Sequence, residues 1–269
     1  MVGTAFVSYG VKIGIRSTHA DGVACLLENA PPIRRPASSP VVDRLYSLVW
    51  GGPGPRRGVT LLNLLYANAK QLERTASLDK IRRAFDINVG LFVAQRAPRH
   101  VFVHAGVVGF ESGAIVFPGK SFAGKTTLTR ALLELGAQYV SDDFAVLDEK
   151  GRVVPWPQDL GIRDANAKRG TRGRRVRPAD LGIVPVRGSL PVRLVVLTQY
   201  EAGSTFRPEP ASPAESALGM LANAVPARKR PQAALASITR VVESALSVRS
   251  PRGEASEAAR AILKLAAGD

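Results

Sequence analysis

Cysteine is almost missing from this chain. Cys25 is the single one, so no intrachain disulfide can form, a pattern that fits a reducing compartment. Also missing is any run of about 18 apolar residues, the length a membrane-spanning helix needs. The N-terminus has no charged stretch followed by an apolar one, as a secretion signal would. Together these absences lead us to expect a cytoplasmic protein with no membrane association. Acidic side chains are scarce: 22 Asp and Glu against 37 Lys and Arg leave a formal charge of +15. Such an excess suits a polyanionic partner. No recognised nucleic-acid module is visible, however, and much of the excess is arginine in Ala/Gly/Pro-rich sequence, so nucleic acid is not the expected main partner. No Asn/Thr-Lys-x-Asp segment is present to read a guanine base, which argues against a GTPase switch.

What the chain does have is enough apolar sequence, 45% of 269 residues, to build a real core. It also has one dense motif. Phe117-Pro118-Gly119-Lys120-Ser121-Phe122-Ala123-Gly124-Lys125-Thr126 contains G-x-x-x-x-G-K-T, a phosphate-binding loop. An apolar run, Ala114–Phe117, precedes it and reads as a buried strand. Leu128, Ala131, Leu132 and Leu135 follow at i, i+3, i+4 and i+7, one face of a helix that Gly136 can close. Strand, glycine loop and helix form the context in which this motif has meaning. The glycines let consecutive N–H groups turn inward, and the helix N-terminus adds positive partial charge. We therefore assign Gly119, Lys120, Ser121, Phe122, Ala123, Gly124, Lys125, Thr126 and Thr127 to nucleotide binding, with ATP as ligand. Lys125 would reach the β- and γ-phosphates, and Thr126 would hold Mg²⁺.

The organisation around the loop is α+β before it and α/β through it. Residues 1–97 read as a small accessory α+β region: a strand or bulged strand pair over 4–16, a short helix over 18–28, strands at 43–50 and 59–66 joined across a Gly/Pro turn, and a helix over 77–97 with Leu78, Ile81, Phe85, Val89 and Phe92 on one face. Residues 98–269 read as the loop-bearing domain. Strand 101–110, a turn at 111–113 and strand 114–117 form a hairpin feeding the loop, which implies a mixed rather than all-parallel sheet. Strands at 138–140 and 144–147 follow, then a Pro/Gly/Arg-rich excursion over 155–190, a strand at 190–198, and helices at 212–224, 231–246 and 254–266.

Phosphoryl transfer needs a metal, in-line positioning and cancelled charge. Asp142 and Asp143 sit at the end of the strand after the loop helix. One would accept a hydroxyl proton while the other organises Mg²⁺. Neighbouring strand residues face opposite ways, so both can face the nucleotide only if the backbone kinks there. His104 lies on the apolar strand before the hairpin turn. Two basic stretches remain. Residues 168–177 carry six Lys or Arg in ten and read as a solvated loop. Arg228-Lys229-Arg230 precedes a helix, where anions are already favoured.

Taken together, these residues resemble the C-terminal domain of the HPr serine kinase/phosphorylase family: Val103-His104-Ala105-Gly106, a strand, the phosphate loop, a helix ending in Gly136, then Val140-Ser141-Asp142-Asp143. The resemblance implies a mixed-sheet P-loop domain of the type shared with phosphoenolpyruvate carboxykinase. It implies an ATP- and Mg²⁺-dependent kinase with Asp142 as general base and His104 beside it. Asp143 would join Thr126 at the metal, and Arg228 or Arg230 would steady the moving phosphoryl group. Ala105 separates His104 from Gly106, Phe122 sits inside the loop, and residues 1–97 do not resemble that family's N-terminal domain. The expected acceptor is therefore drawn widely, as a hydroxyl on a protein, peptide or small molecule. A nucleotide-gated regulator without phosphotransfer is the alternative, and a homo-oligomer is left open.

Overall fold

The computed structural model describes residues 1–54, 56, 58–111, 113–120, 123–162 and 174–268. Ser121 and Phe122 of the loop, and most of the basic stretch 168–177, lie outside the described residues. Contacts divide the chain into two units, Met1–Arg99 and His100–Asp269.

In the first unit, β1 (Val2–Ser8) and β2 (Val11–Ser17) form a hairpin. Tyr9 and Gly10 both take positive φ, 47° and 85°, as a tight two-residue turn matching strand twist requires. α1 (Ala20–Glu28) follows, then β3 (Arg35–Pro36), β4 (Arg44–Val49), β5 (Gly52–Pro53), β6 (Thr60–Leu61), β7 (Asn63–Ala67), β8 (Lys70–Thr75) and α2 (Leu78–Arg96). Six of the strands make one sheet in the order β3-β1-β2-β4-β7-β8. α2 starts on Ser77, whose hydroxyl accepts from the Lys80 N–H. It buries Ile81, Phe85, Val89 and Phe92, the stripe that the sequence shows.

The second unit runs β9 (Val101–Phe110), β10 (Gly113–Pro118), α3 (Lys125–Glu134), β11 (Gln138–Ser141), β12 (Phe144–Leu147), β13 (Val153–Val154), β14 (Leu160–Ile162), β15 (Arg174–Val176), a 3₁₀ turn at Pro178–Leu181, β16 (Val192–Tyr200), β17 (Glu209–Pro210), α4 (Pro213–Leu221), α5 (Pro231–Ser244), β18 (Leu246–Arg252) and α6 (Ala255–Ala267). The main sheet has the order β13-β12-β9-β10-β16-β18-β17, and β11 also pairs with β9. It is mixed: β10 is antiparallel to β9 but parallel to β16, which is parallel to β18.

Both faces of this sheet are covered, which is why β10 is apolar throughout rather than alternating. Ala114 and Val116 pack on one side with Ile238 and Val241 of α5. Ile115 and Phe117 pack on the other with Leu128 and Leu132 of α3 and Ile262 of α6. Leu128 and Leu132 are fully buried, and each contributes roughly 2 kcal/mol towards holding α3 at the end of β10. Gly106 on β9 lies under the Phe117 ring, and a Cβ there would run into it. A methyl at residue 106 would push the strand end that leads into the loop.

Among the strands longer than three residues, two depart from expectation. β8 is charged and lies at a sheet edge, where polar side chains face water and mimic a loop. β18 falls where a helix ending at 246 and a linker were expected. α5 stops at Ser244, and residues 246–252 join the sheet instead.

Candidate functional site

The loop helix begins on Gly124, in the left-handed region at φ 80°. No side chain caps this end, so the first-turn N–H groups of α3 are left for an outside acceptor. The Lys125 ammonium folds back and donates to the carbonyls of Gly119 and Lys120, both at 2.9 Å. An ammonium has three donors, so one remains to meet a ligand. Burial holds this lysine below its ordinary range, while Asp142 and Asp143 pull it back up.

The two aspartates lie in a bend between β11 and β12. The Ser141 hydroxyl accepts there from the N–H groups of Asp143, 3.3 Å, and Phe144, 3.1 Å. That kink lets both carboxylates approach Lys125, although their environments differ. Asp142 is 7% exposed. It accepts from the Thr126 hydroxyl at 2.7 Å and from the Thr129 hydroxyl at 3.3 Å, one on each oxygen. Burial, and next to it the charge of Asp143, push its pKa up to about 7 against the two hydroxyls and Lys125. Asp143 is only half-buried. The expected division is therefore reversed at Thr126: Asp142 meets that hydroxyl, where Asp143 was expected. His104 feels Asp143, through its charge and a hydrogen bond to its main chain.

His104 is the junction of the site. Its main chain donates to Asn223 O at 2.8 Å and accepts from Gly119 N–H at 3.0 Å. It also stands opposite Phe144 across the β9–β12 pair. The phosphate loop, the aspartate bend and the turn before α5 are thus tied to one residue. Its imidazole leans on the Phe144 ring, 4.8 Å between centroids. Phe144 packs edge-on to Phe102 and the fully buried Trp156, which holds the aspartate bend in place. Burial, then Lys125, keep His104 below its ordinary pKa, against the pull of Asp143 and a hydrogen bond to that residue's main chain.

Other expected residues are less involved. Val225 N–H donates to Phe102 O at 2.8 Å, which docks the basic turn on β9. Arg228 itself is exposed and, among the described residues, makes no bond to the loop or to either aspartate, while Arg230 is half-buried at the start of α5. Lys120 and Thr127 are exposed, and Gly119, Ala123 and Gly124 are half-buried.

No family model matches this chain, and no curated protein does. Among solved structures, the HPr(Ser) kinase/phosphatase from Coxiella burnetii is similar over 62% of this chain and 88% of that one, at 16% identity and a TM-score of 0.33. The likeness is distant and coarse.

Sequence reasoning missed two residues at this site, Thr129, whose hydroxyl donates to Asp142, and Arg252. Arg252, at the end of β18, is 2% exposed, and its Nη2 donates to Gly124 O at 2.9 Å and to Ala123 O at 3.2 Å. The alternation Leu246-Ser247-Val248 was the available signal, masked by Pro251 and two arginines. Among the described residues no helix is long and apolar enough to cross a membrane.

Proposed function

We propose that this chain is an ATP- and Mg²⁺-dependent phosphotransferase acting on a hydroxyl of a protein, peptide or small molecule. One observation carries the reading: the 2.7 Å bond between Thr126 and Asp142, at the mouth of an uncapped helix that also presents Lys125. Among the described residues no three His, Cys, Asp or Glu side chains gather as a metal cage. A hydroxyl beside a single carboxylate nevertheless fits Mg²⁺, which takes one or two protein oxygens and completes its shell with phosphate oxygens and water. When bound, Mg²⁺ would neutralise charge on the β- and γ-phosphates. Thr126 and Asp142 are the residues that would hold it.

The remaining roles follow from exposure and charge. The first-turn N–H groups of α3 and the Lys125 ammonium bind and orient the phosphates. Asp142 is a poor base for an incoming alcohol, because it is buried and both its oxygens are taken. Asp143, half-exposed beside His104, is the better one. It takes the proton of the acceptor hydroxyl as that oxygen bonds to the γ-phosphorus, and the bond from phosphorus to the β–γ bridging oxygen breaks to leave ADP. Incubating γ-labelled ATP with serine, seryl peptides and small alcohols tests this. We expect label on an acceptor with wild type, and transfer slowed by about 10²–10⁴-fold with Asp143→Asn, which still binds ATP. Undiminished transfer by Asp143→Asn removes the base assignment. ATP binding without transfer to any acceptor favours the nucleotide-gated regulator.

A further inference from the structure

We propose that Arg252 is a positioning residue for the phosphate loop, aiming the loop's N–H groups by holding the opposite ends of their peptide units. The inference rests on the nucleotide-binding reading above and adds to it a residue far away in sequence. A trans peptide unit is planar, with its C=O and N–H pointing in opposite directions. Arg252 Nη2 holds Ala123 O at 3.2 Å and Gly124 O at 2.9 Å. These are the carbonyls of the two peptide units whose N–H groups belong to Gly124 and Lys125. Fixing both oxygens on the Arg252 side, at Gly124 O together with the Leu128 N–H that donates to it at 3.1 Å, turns both N–H groups the other way, into the cradle at the start of α3.

Gly124 suits this arrangement for two reasons. Its φ of 80° is costly for other residues, and a Cβ there would meet Arg252 Nη2. The guanidinium is itself held firmly. β18 pairs with β16 in parallel up to Tyr200↔Arg252, and Arg252 lies 5.9 Å from the Tyr200 ring centroid.

The energetics also point away from a purely structural role. Among the described residues no carboxylate lies within ion-pair distance of Arg252, although Glu254 acts on it from further off. Nor do the described residues offer a hydrogen-bond partner to its Nε or to the Thr198 hydroxyl. Both residues line a cavity of about 10 Å³ behind the loop, room for one water. A buried cation with no counter-ion beside it is a poor way to stabilise a fold. It is a sensible way to hold positive charge under a site for a polyanion.

The test compares wild type with Arg252→Met, Arg252→Lys and Thr198→Val by calorimetric titration with MgATP, thermal melting, and amide hydrogen exchange of residues 119–127 in the ligand-free protein. We expect Arg252→Met to lose about tenfold or more in ATP affinity, to exchange faster at 119–127, and to melt no lower than wild type. Arg252→Lys should recover part of both losses, and Thr198→Val should leave both unchanged. Wild-type affinity and exchange in Arg252→Met overturn the proposal. So does a loss that Thr198→Val reproduces, or one matched by a fall in melting temperature in both Arg252 variants. Should Arg252→Met fail to fold, Arg252→Lys carries the comparison, with wild-type affinity and exchange counting against the clamp. A wild-type protein that binds no ATP sinks the nucleotide reading, and the clamp is then judged by exchange alone.

Discussion

Two helix starts in the second unit are built in opposite ways. At α4 the end is closed. Glu215 N–H donates to the Ser212 hydroxyl at 3.2 Å, and Ser212 N–H donates back to Glu215 at 2.8 Å. Arg249 then pairs with the Glu215 carboxylate at 2.6 Å. At α3 the end is open: Gly124 offers no side chain, and the groups around it are Lys125 and Arg252. α5 and α6 also begin without a side-chain cap, so openness alone does not make a site. What sets α3 apart is the gathering of an ammonium, a guanidinium and a hydroxyl–carboxylate pair around the open end. A capped helix uses its donors itself, whereas this one leaves them without a side-chain acceptor.

Four experiments put that difference at risk. The largest effect is expected for Asp143→Asn, with phosphotransfer falling about 10²–10⁴-fold while ATP affinity stays near wild type, read by initial rates and titration. Next comes pH. Asp142 binds its proton more tightly folded, at about 7, than its ordinary value of 3.8, so between those values the folded state carries more protons. Stability of the ligand-free protein should therefore be greatest below about pH 4 as far as this group is concerned. It should fall as pH rises to about 7, by an amount on the order of a few kcal/mol. Thermal melts of Asp142→Asn should lack that slope, and a slope identical to wild type would refute the assignment. Gly124→Ala comes third. A left-handed non-glycine costs roughly 1–2 kcal/mol, and its methyl displaces Arg252, so melting temperature and ATP affinity should fall together. The smallest effect belongs to the closed end: Ser212→Ala should cost about 1 kcal/mol of stability and leave ATP affinity untouched. If it weakened ATP binding as much as Gly124→Ala, the distinction between the two helix ends would collapse.

Much of this could be read before the fold was seen, for physical reasons that also mark where reading stops. The β9–β10 hairpin was legible because two apolar runs flank a short polar turn, and α3 because its apolar residues recur at helical spacing. The roles of Asp142 and Asp143 were not. Side by side in sequence the two are equivalent, and only the bend at Ser141 decides which one reaches Thr126. Arg252 was illegible for a different reason. Its partners lie 128 and 129 positions away, brought together by parallel pairing of β16 and β18, and the short alternation that marks β18 does not say which strand it joins. The placement of Arg228 and Arg230 was also beyond the sequence, since docking of their turn depends on main-chain bonds to Phe102 and His104.

The reach of Arg252 back across the fold has a bearing on biosynthesis. A chain emerging from a ribosome delivers Gly119 to Thr126 long before residue 252 has been translated. Until the last strand slots in, the Ala123 and Gly124 carbonyls lack the arginine's grip. If the arginine clamp operates as proposed, affinity for ATP should appear late, with the final stretch of polypeptide, rather than with the motif that announces it.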